Sequence, residues 1–174
     1  MISIKIIGAI LVIGAFYMYG EMLCIREKER INVLEEMNKL GRIFKADVRC
    51  SISEIEEILE NIKSKVGADV EEFIQEVTTS IKGKECSNLA HIWKKSLRDK
   101  FKKSYLKEED FDVLDRFGEN LGCLDRQMQI DNAEFYINEI SEHIKDVSNN
   151  LKEKSKMYRS ISVSIGICIV LMLI

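Results

Sequence analysis

The sequence contains no proline and only nine glycines in 174 residues. Tight turns are built largely from these two residue types, and an all-β sandwich or barrel needs many of them, so that class is excluded. Charge of one sign is also lacking. The formal net charge is −3 and the isoelectric point about 5.6, so no global basic field draws nucleic acid to the chain. Cysteine is sparse and badly spaced for metal or disulfide work. The five cysteines stand at 24, 50, 86, 123 and 168, an odd number with no C-x-x-C pair, which reads as free thiols in a reducing compartment. What is abundant is Glu, Lys, Ile and Leu. Apolar residues make up 46% and charged residues 32%, too much hydrophobic material for a disordered tail and the right mixture for amphipathic helices. The length suits one domain.

The apolar residues concentrate at the ends. From Ile6 to Gly20 there is no charged residue, and continuing past Glu21 to Ile25 gives a run of roughly 20 residues, enough for about 30 Å of hydrocarbon. Tyr17 and Tyr19 suit one interface and Lys5 the other. No A-x-A cleavage site follows, and Leu23 before Cys24 is too large for a lipoprotein signal, so the segment reads as an uncleaved anchor. From Ile161 to Ile174 the chain is apolar apart from Ser162, Ser164 and Cys168. As a helix this tail spans only about 21 Å, or about 27 Å if it starts at Met157. Its first half alternates with period two, but Val170 onward breaks the alternation, and a lone strand in lipid leaves its backbone unsatisfied. Small residues at 160, 164 and 168, and at 162 and 166, let a neighbouring helix approach. A buried core helix is the rival reading of the tail. Arg26, Lys28 and Arg30 follow the first segment, while Lys152, Lys154, Lys156 and Arg159 precede the second. The positive-inside rule then places the intervening residues in the cytoplasm and both termini outside. The expected organisation is an anchor over 1–25, a cytoplasmic helical bundle over 26–156 and a transmembrane segment over 157–174.

The middle reads as all-α. Leu34, Met37, Leu40, Phe44 and Val48 form a helical stripe continuous with the first apolar run. Ser51 or Ser53 is expected to cap a second helix with Ile55, Ile58, Leu59 and Ile62 on its inner face, stopping at Gly67. Asp69 with Glu72 is expected to cap a third, carrying Val70, Phe73, Ile74, Val77 and Ile81 and stopping at Gly83. Ser87 or Asn88 caps a fourth with Leu89, Ile92, Trp93, Leu97 and Phe101 inward. A fifth begins in the acidic cluster Glu108, Glu109, Asp110 and buries Phe111, Leu114, Phe117 and Leu121. The last helix is expected to be the longest. Ile130, Ala133, Ile137, Ile140, Ile144, Val147 and Leu151 step 3, 4, 3, 4, 3, 4, a heptad seam. It either packs antiparallel on the first helix or serves a homomeric coiled coil.

Little here carries chemistry. Glu54, Glu56, Glu57 and Glu60 are the carboxylates of a solvated helix face. Neither His91 nor His143 has a Glu three residues before it, as a di-iron bundle requires, and Cys86 with His91 is at most half a metal site. Residue 78, where a P-loop ending at Gly83 and Lys84 needs glycine, is Thr. No G-x-S-x-G occurs. No catalytic, cofactor-binding or metal-binding residue is assigned. One basic stretch, 94–103, places Lys94, Arg98 and Lys102 on one face. A solvated face is the plain reading, anionic headgroups or an acidic partner the next, and nucleic acid the last, because its aromatic residues point inward. Gly118 and Gly122, four apart, either admit a neighbouring helix or end one helix and let another start at Asp125. The candidates for partner docking are therefore Lys94, Arg98, Lys102, Gly118, Glu119, Gly122 and Asp125.

The segment Phe117-Gly118-Glu119-Asn120-Leu121-Gly122, with Leu124-Asp125-Arg126-Gln127 and Gln129, resembles the signature of the stage III sporulation protein AB family. Tyr158-Arg159-Ser160 before the apolar tail, Ile6-Ile7-Gly8-Ala9 and Ile13-Gly14 near the start, and Gly83, Ala90 and Trp93 fit it as well. Gly118-Glu119, Gly122 and Leu124 are also similar to the cytoplasmic domains of type II secretion protein F. The resemblance implies a component of a channel between mother cell and forespore, seated in the mother-cell membrane around the forespore. The partners it implies are the sister stage III A proteins, including the secretion-type ATPase AA; the apolar ends add the lipid bilayer, and the heptad seam offers further copies of the chain. The role it implies is scaffolding.

Overall fold

Two helices of nearly equal length open and close the chain in the computed structural model, which describes residues 2–50, 54–83, 88–121 and 125–173. Of residues 2–13 and most of those beyond 155, it describes the backbone only. The described residues form six helices and no strand: α1 (Ile2–Cys50), α2 (Ile55–Lys63), α3 (Ala68–Lys82), α4 (Leu89–Phe101), α5 (Glu108–Glu119) and α6 (Arg126–Leu173). The expected all-α class holds. At 48 residues α6 is one residue shorter than α1, so the last helix is not the longest. Both apolar ends are helical, including the stretch of the tail that alternates with period two.

The chain forms two units, Arg30–Lys145 and the paired ends Met1–Glu29 with Asp146–Ile174. In the first unit α1 and α6 run antiparallel. Asn38 donates to Ser141 at 3.1 Å, Lys45 pairs with Glu134 at 2.9 Å, and Arg126 Nε donates to the Val48 carbonyl at 2.9 Å, so partners on α6 fall in number as those on α1 rise. The stripe read from the sequence is the inner face: Leu34, Met37, Leu40, Phe44 and Val48 are buried, as are Ala133 and Ile140 of the heptad seam. Those seam positions are filled within the chain, so a homomeric coiled coil cannot use them at the same time. Helices α2 to α5 pack in sequence, α2 on α3, α3 on α4 and α4 on α5. Aromatic rings of α3, α4 and α5 join Phe44 of α1 and Tyr136 of α6 in one chain, with three edge contacts and a tilted Phe117–Tyr136 pair. Trp93 lies 4.8 Å from Phe73 and 5.4 Å from Phe117, and Phe117 lies 5.3 Å from Phe44 and 4.5 Å from Tyr136. Edge-to-face and offset pairs of this kind add stabilisation beyond their area.

Helix ends are satisfied partly as expected. Asn88 caps α4, its side chain accepting from the Ala90 N–H at 3.0 Å. Ser51 and Ser53 lie outside the described residues; α2 begins after Glu54. Two expectations need correction. Gly67 does not stop α2, which ends at Lys63; it is the N-cap of α3. Asp69 then lies inside the first turn rather than at the cap. The physical reason is a carboxylate from another helix: Glu36 of α1 accepts from the Gly67 N–H at 2.7 Å and occupies the positive end of α3.

In the second unit Cys24 and Val147 are buried. Around them a set of large apolar side chains stands exposed: Tyr17, Met18, Tyr19, Met22, Ile25, Met157, Ile161 and Ile165, all above 40%. Among the described residues, no helix is long and apolar enough to cross a membrane. The runs that carry the transmembrane expectation fall largely on side chains outside those described. Ile161 and Ile165, being exposed, do not behave as a buried core helix. Cys24, Cys50 and Cys168 are free thiols, while Cys86 and Cys123 lie outside the described residues.

Candidate docking surfaces and a buried charge cluster

The basic face of α4 is largely turned onto α5. Lys94 Nζ lies 3.3 Å and Arg98 Nη2 3.6 Å from the same oxygen of Asp115. Arg98 also forms a fork on Glu108 at 2.8 and 3.1 Å and stacks 4.8 Å above the Phe111 ring. Burial pushes the Asp115 carboxyl above its ordinary range, and Lys94 and Arg98 only partly offset it. Two of the three cations expected to dock a partner are thus engaged inside the chain. The third, Lys102, stands exposed at the C-cap of α4. Lys95, Lys102 and Lys103 are all exposed and have no ion pair among the described residues.

Gly118 lies inside α5 and is buried. A Cβ there would sit 2.1 Å from Cδ1 of Trp93, so the glycine lets the indole of α4 lie against the α5 backbone. The indole N–H donates to the Leu114 carbonyl at 3.0 Å and locks that approach. Asp125 starts α6, its carboxylate accepting from the Met128 N–H at 2.9 Å. Both readings of the glycine segment therefore hold over the part described; Gly122 lies outside the described residues. Among the candidates that are described, Glu119 lines a surface cleft of about 180 Å³ between the end of α5 and α6, together with Arg116, Asn120, Phe135 and Glu139. Arg116 pairs with one oxygen of Glu139 at 2.8 Å, and the other oxygen is buried with no hydrogen-bond partner. Phe135 rises from the cleft 63% exposed. It was missed in the sequence, yet it carried a signal: it lies off the seam that runs through Ala133 and Ile137.

A second feature the sequence did not disclose is a buried charge cluster. Arg30 of α1 places Nε 2.7 Å and Nη2 2.8 Å from the two oxygens of Asp110, and also contacts Glu109 at 2.5 Å. His143 of α6 lies 2.6 Å from Asp110, and the Lys107 N–H donates to the same carboxylate at 2.7 Å. Arg30 is 3% exposed and Asp110 fully buried. Burial would raise the Asp110 carboxyl, but the hydrogen bonds from Arg30, Lys107 and His143 outweigh it and hold the group below the usual carboxylate range. Arg30, one of the cations that follow the first apolar run, is a core clamp that ties α1 to α5. Its position four residues before Leu34 is the signal that marks this. Glu109, Asp110 and His143 lie close enough to share a cation. The guanidinium already takes both Asp110 oxygens, so a metal ion would have to displace Arg30.

These features define an all-helical protein in which short helices pack against the inner halves of two long ones, with charged outer surfaces around an aromatic core. A sequence model of the family described as stage III sporulation protein AB matches residues 5–174, and the chain belongs to that family. It is 20% identical over 171 residues to stage III sporulation protein AB of Bacillus subtilis (strain 168), covering 98% of this chain and 99% of that protein. A solved structure of a stage III sporulation protein AB superimposes with a TM-score of 0.62 at 18% identity, covering 71% of this chain and 97% of the other.

Proposed function

We propose that the chain is a membrane-tethered, non-enzymatic platform of the sporulation apparatus. Its two apolar ends hold it in the mother-cell membrane around the forespore, its central unit lies in the cytoplasm, and its surfaces gather other stage III A proteins, including the secretion-type ATPase AA, into a channel complex. The observation that carries this reading is the contrast between the two units. Arg30–Lys145 closes most of its large apolar residues into a core and leaves Tyr105, Met128 and Phe135 exposed, whereas the shorter paired ends leave Tyr17, Met18, Tyr19, Met22, Ile25, Met157, Ile161 and Ile165 open. Large apolar side chains left exposed together call for a nonaqueous neighbour. Family membership along nearly the whole chain supports the sporulation context.

The alternative, an adaptor binding anionic lipid or an acidic partner through residues 94–103, retains only Lys95, Lys102 and Lys103 as cations without an ion pair among the described residues, because Lys94 and Arg98 are engaged with α5 and Lys100 with Asp69 and Glu72 of α3. The test is a tagged chain expressed from its own locus in its spore-forming host and purified from solubilised membranes. The platform reading expects ATPase AA or another stage III A protein to co-purify, and spore yield to collapse when the gene is deleted. Normal spore yield on deletion, or recovery of none of those proteins, would overturn it.

A further inference from the structure

The unit Arg30–Lys145 carries two unlike patches. One is the Glu119–Phe135 cleft. The segment of α6 around it, residues 127–144, holds Asp131, Glu134, Glu139 and Glu142 and no Lys or Arg; Glu134 pairs with Lys45 and Glu139 with Arg116 of the cleft, while Glu119, Asp131 and Glu142 have no ion pair among the described residues. The exposed Phe135 ring and the exposed Glu119 carboxylate, which has no ion pair among the described residues, suit an aromatic residue accompanied by cations. The other patch follows α4, where Lys102 and Lys103 are exposed beside Tyr105, itself 43% exposed. It presents that chemistry. The two patches belong to opposite ends of α5: Arg98 bonds Glu108 at its start, and Glu119 is its last residue. Twelve helical residues separate those ends by about 18 Å, beyond the reach of one lysine side chain. Within a single copy the patches cannot satisfy each other.

We propose that this unit binds a second copy of the chain head to tail, the corner of Lys102, Lys103 and Tyr105 on one copy seating on the cleft of Glu119 and Phe135 on the next. The contact is heterologous, joining two different surfaces, so each copy retains one free patch and the assembly grows into a ring or a filament rather than stopping at a symmetric pair. The attraction is partly between exposed charges, and it weakens as salt rises. The inference goes beyond the platform reading and does not depend on it. Membrane extraction and co-purification test that reading whatever the number of copies.

The experiment uses the purified full chain in detergent, with sedimentation velocity as the readout and circular dichroism to confirm folding. Glu119→Lys destroys the cleft and Lys102→Glu with Lys103→Glu destroys the corner; all three positions are exposed, so both variants retain their core. Each variant alone is expected to self-associate at least about tenfold more weakly than the parent. Mixed one to one, they are expected to associate again, because the intact corner of the first meets the intact cleft of the second. Phe135→Ser, a second way to disable the cleft, is likewise expected to self-associate more weakly and to associate again when mixed with the corner variant, whose cleft is intact. Association of the single variants at the parental level, or a mixture that stays monomeric, would overturn the proposal. So would a corner variant that loses binding to phosphatidylglycerol vesicles while its self-association is unchanged, which would assign the lysines to lipid.

Discussion

At Asp110 a single carboxylate meets a guanidinium, an imidazole and a backbone N–H from three parts of the chain. Its folded-state pKa is depressed, so the stability it contributes is present above the ordinary carboxylate pKa and is lost as pH falls through the depressed one. Asp110→Asn takes from the buried Arg30 the carboxylate that holds its Nε and Nη2, and is expected to cost about 3 kcal/mol at neutral pH. The deficit should shrink in acid, where the parent also loses its charge; urea denaturation at several pH values measures both. Asp115 behaves oppositely. Its folded pKa is raised, so its ionisation costs stability: the cost is absent below the ordinary carboxylate pKa, grows as pH rises towards the raised one and is full above it. Asp115→Asn is therefore expected to raise the melting temperature in neutral or mildly alkaline buffer, with the gain vanishing as pH falls. A variant less stable at every pH would show that the contacts with Lys94 and Arg98 outweigh the burial. Neither aspartate was recognised as buried from the sequence. Both stand among other charged residues on α5, and what buries them is packing by α1, α4 and α6, which a local pattern does not contain.

Helix boundaries and inner faces were far more legible, because they follow from periodicity. The apolar stripe from Leu34 to Val48 and the faces of α2 to α5 came directly from 3.6-residue spacing, and Asn88 was foreseen as a cap. Asn88→Ala should cost about 1 kcal/mol in a thermal melt. The start of α3 was misplaced because its cap comes from Glu36, thirty-one residues away in sequence. Helix packing sets the strongest constraint at Gly118. Gly118→Ala would drive a methyl group into the Trp93 indole, and the relief must come from moving a fully buried side chain. About 3 kcal/mol of destabilisation is expected, with a changed tryptophan emission, despite the higher helix propensity of alanine. An unchanged emission and stability would mean that α4 and α5 do not approach as described. The same logic applies where Gly41 of α1 admits the Tyr136 ring, whose hydroxyl donates to the Met37 carbonyl at 3.2 Å.

For the molecule as a whole, the sequence divides apolar residues between a central stripe pattern and two dense ends, and the structure places them in two units. The docking surfaces were only partly legible. Lys94, Arg98 and Lys102 share a helical face, but whether a cation is free depends on α5, which the spacing within α4 does not disclose. The account rests on the ends lying in lipid. The direct measurement is alkaline carbonate extraction of membranes from sporulating cells, followed by detection of the full-length chain. The account predicts that the chain stays in the membrane pellet and leaves it only with detergent. Release of the intact chain into the carbonate supernatant would contradict it.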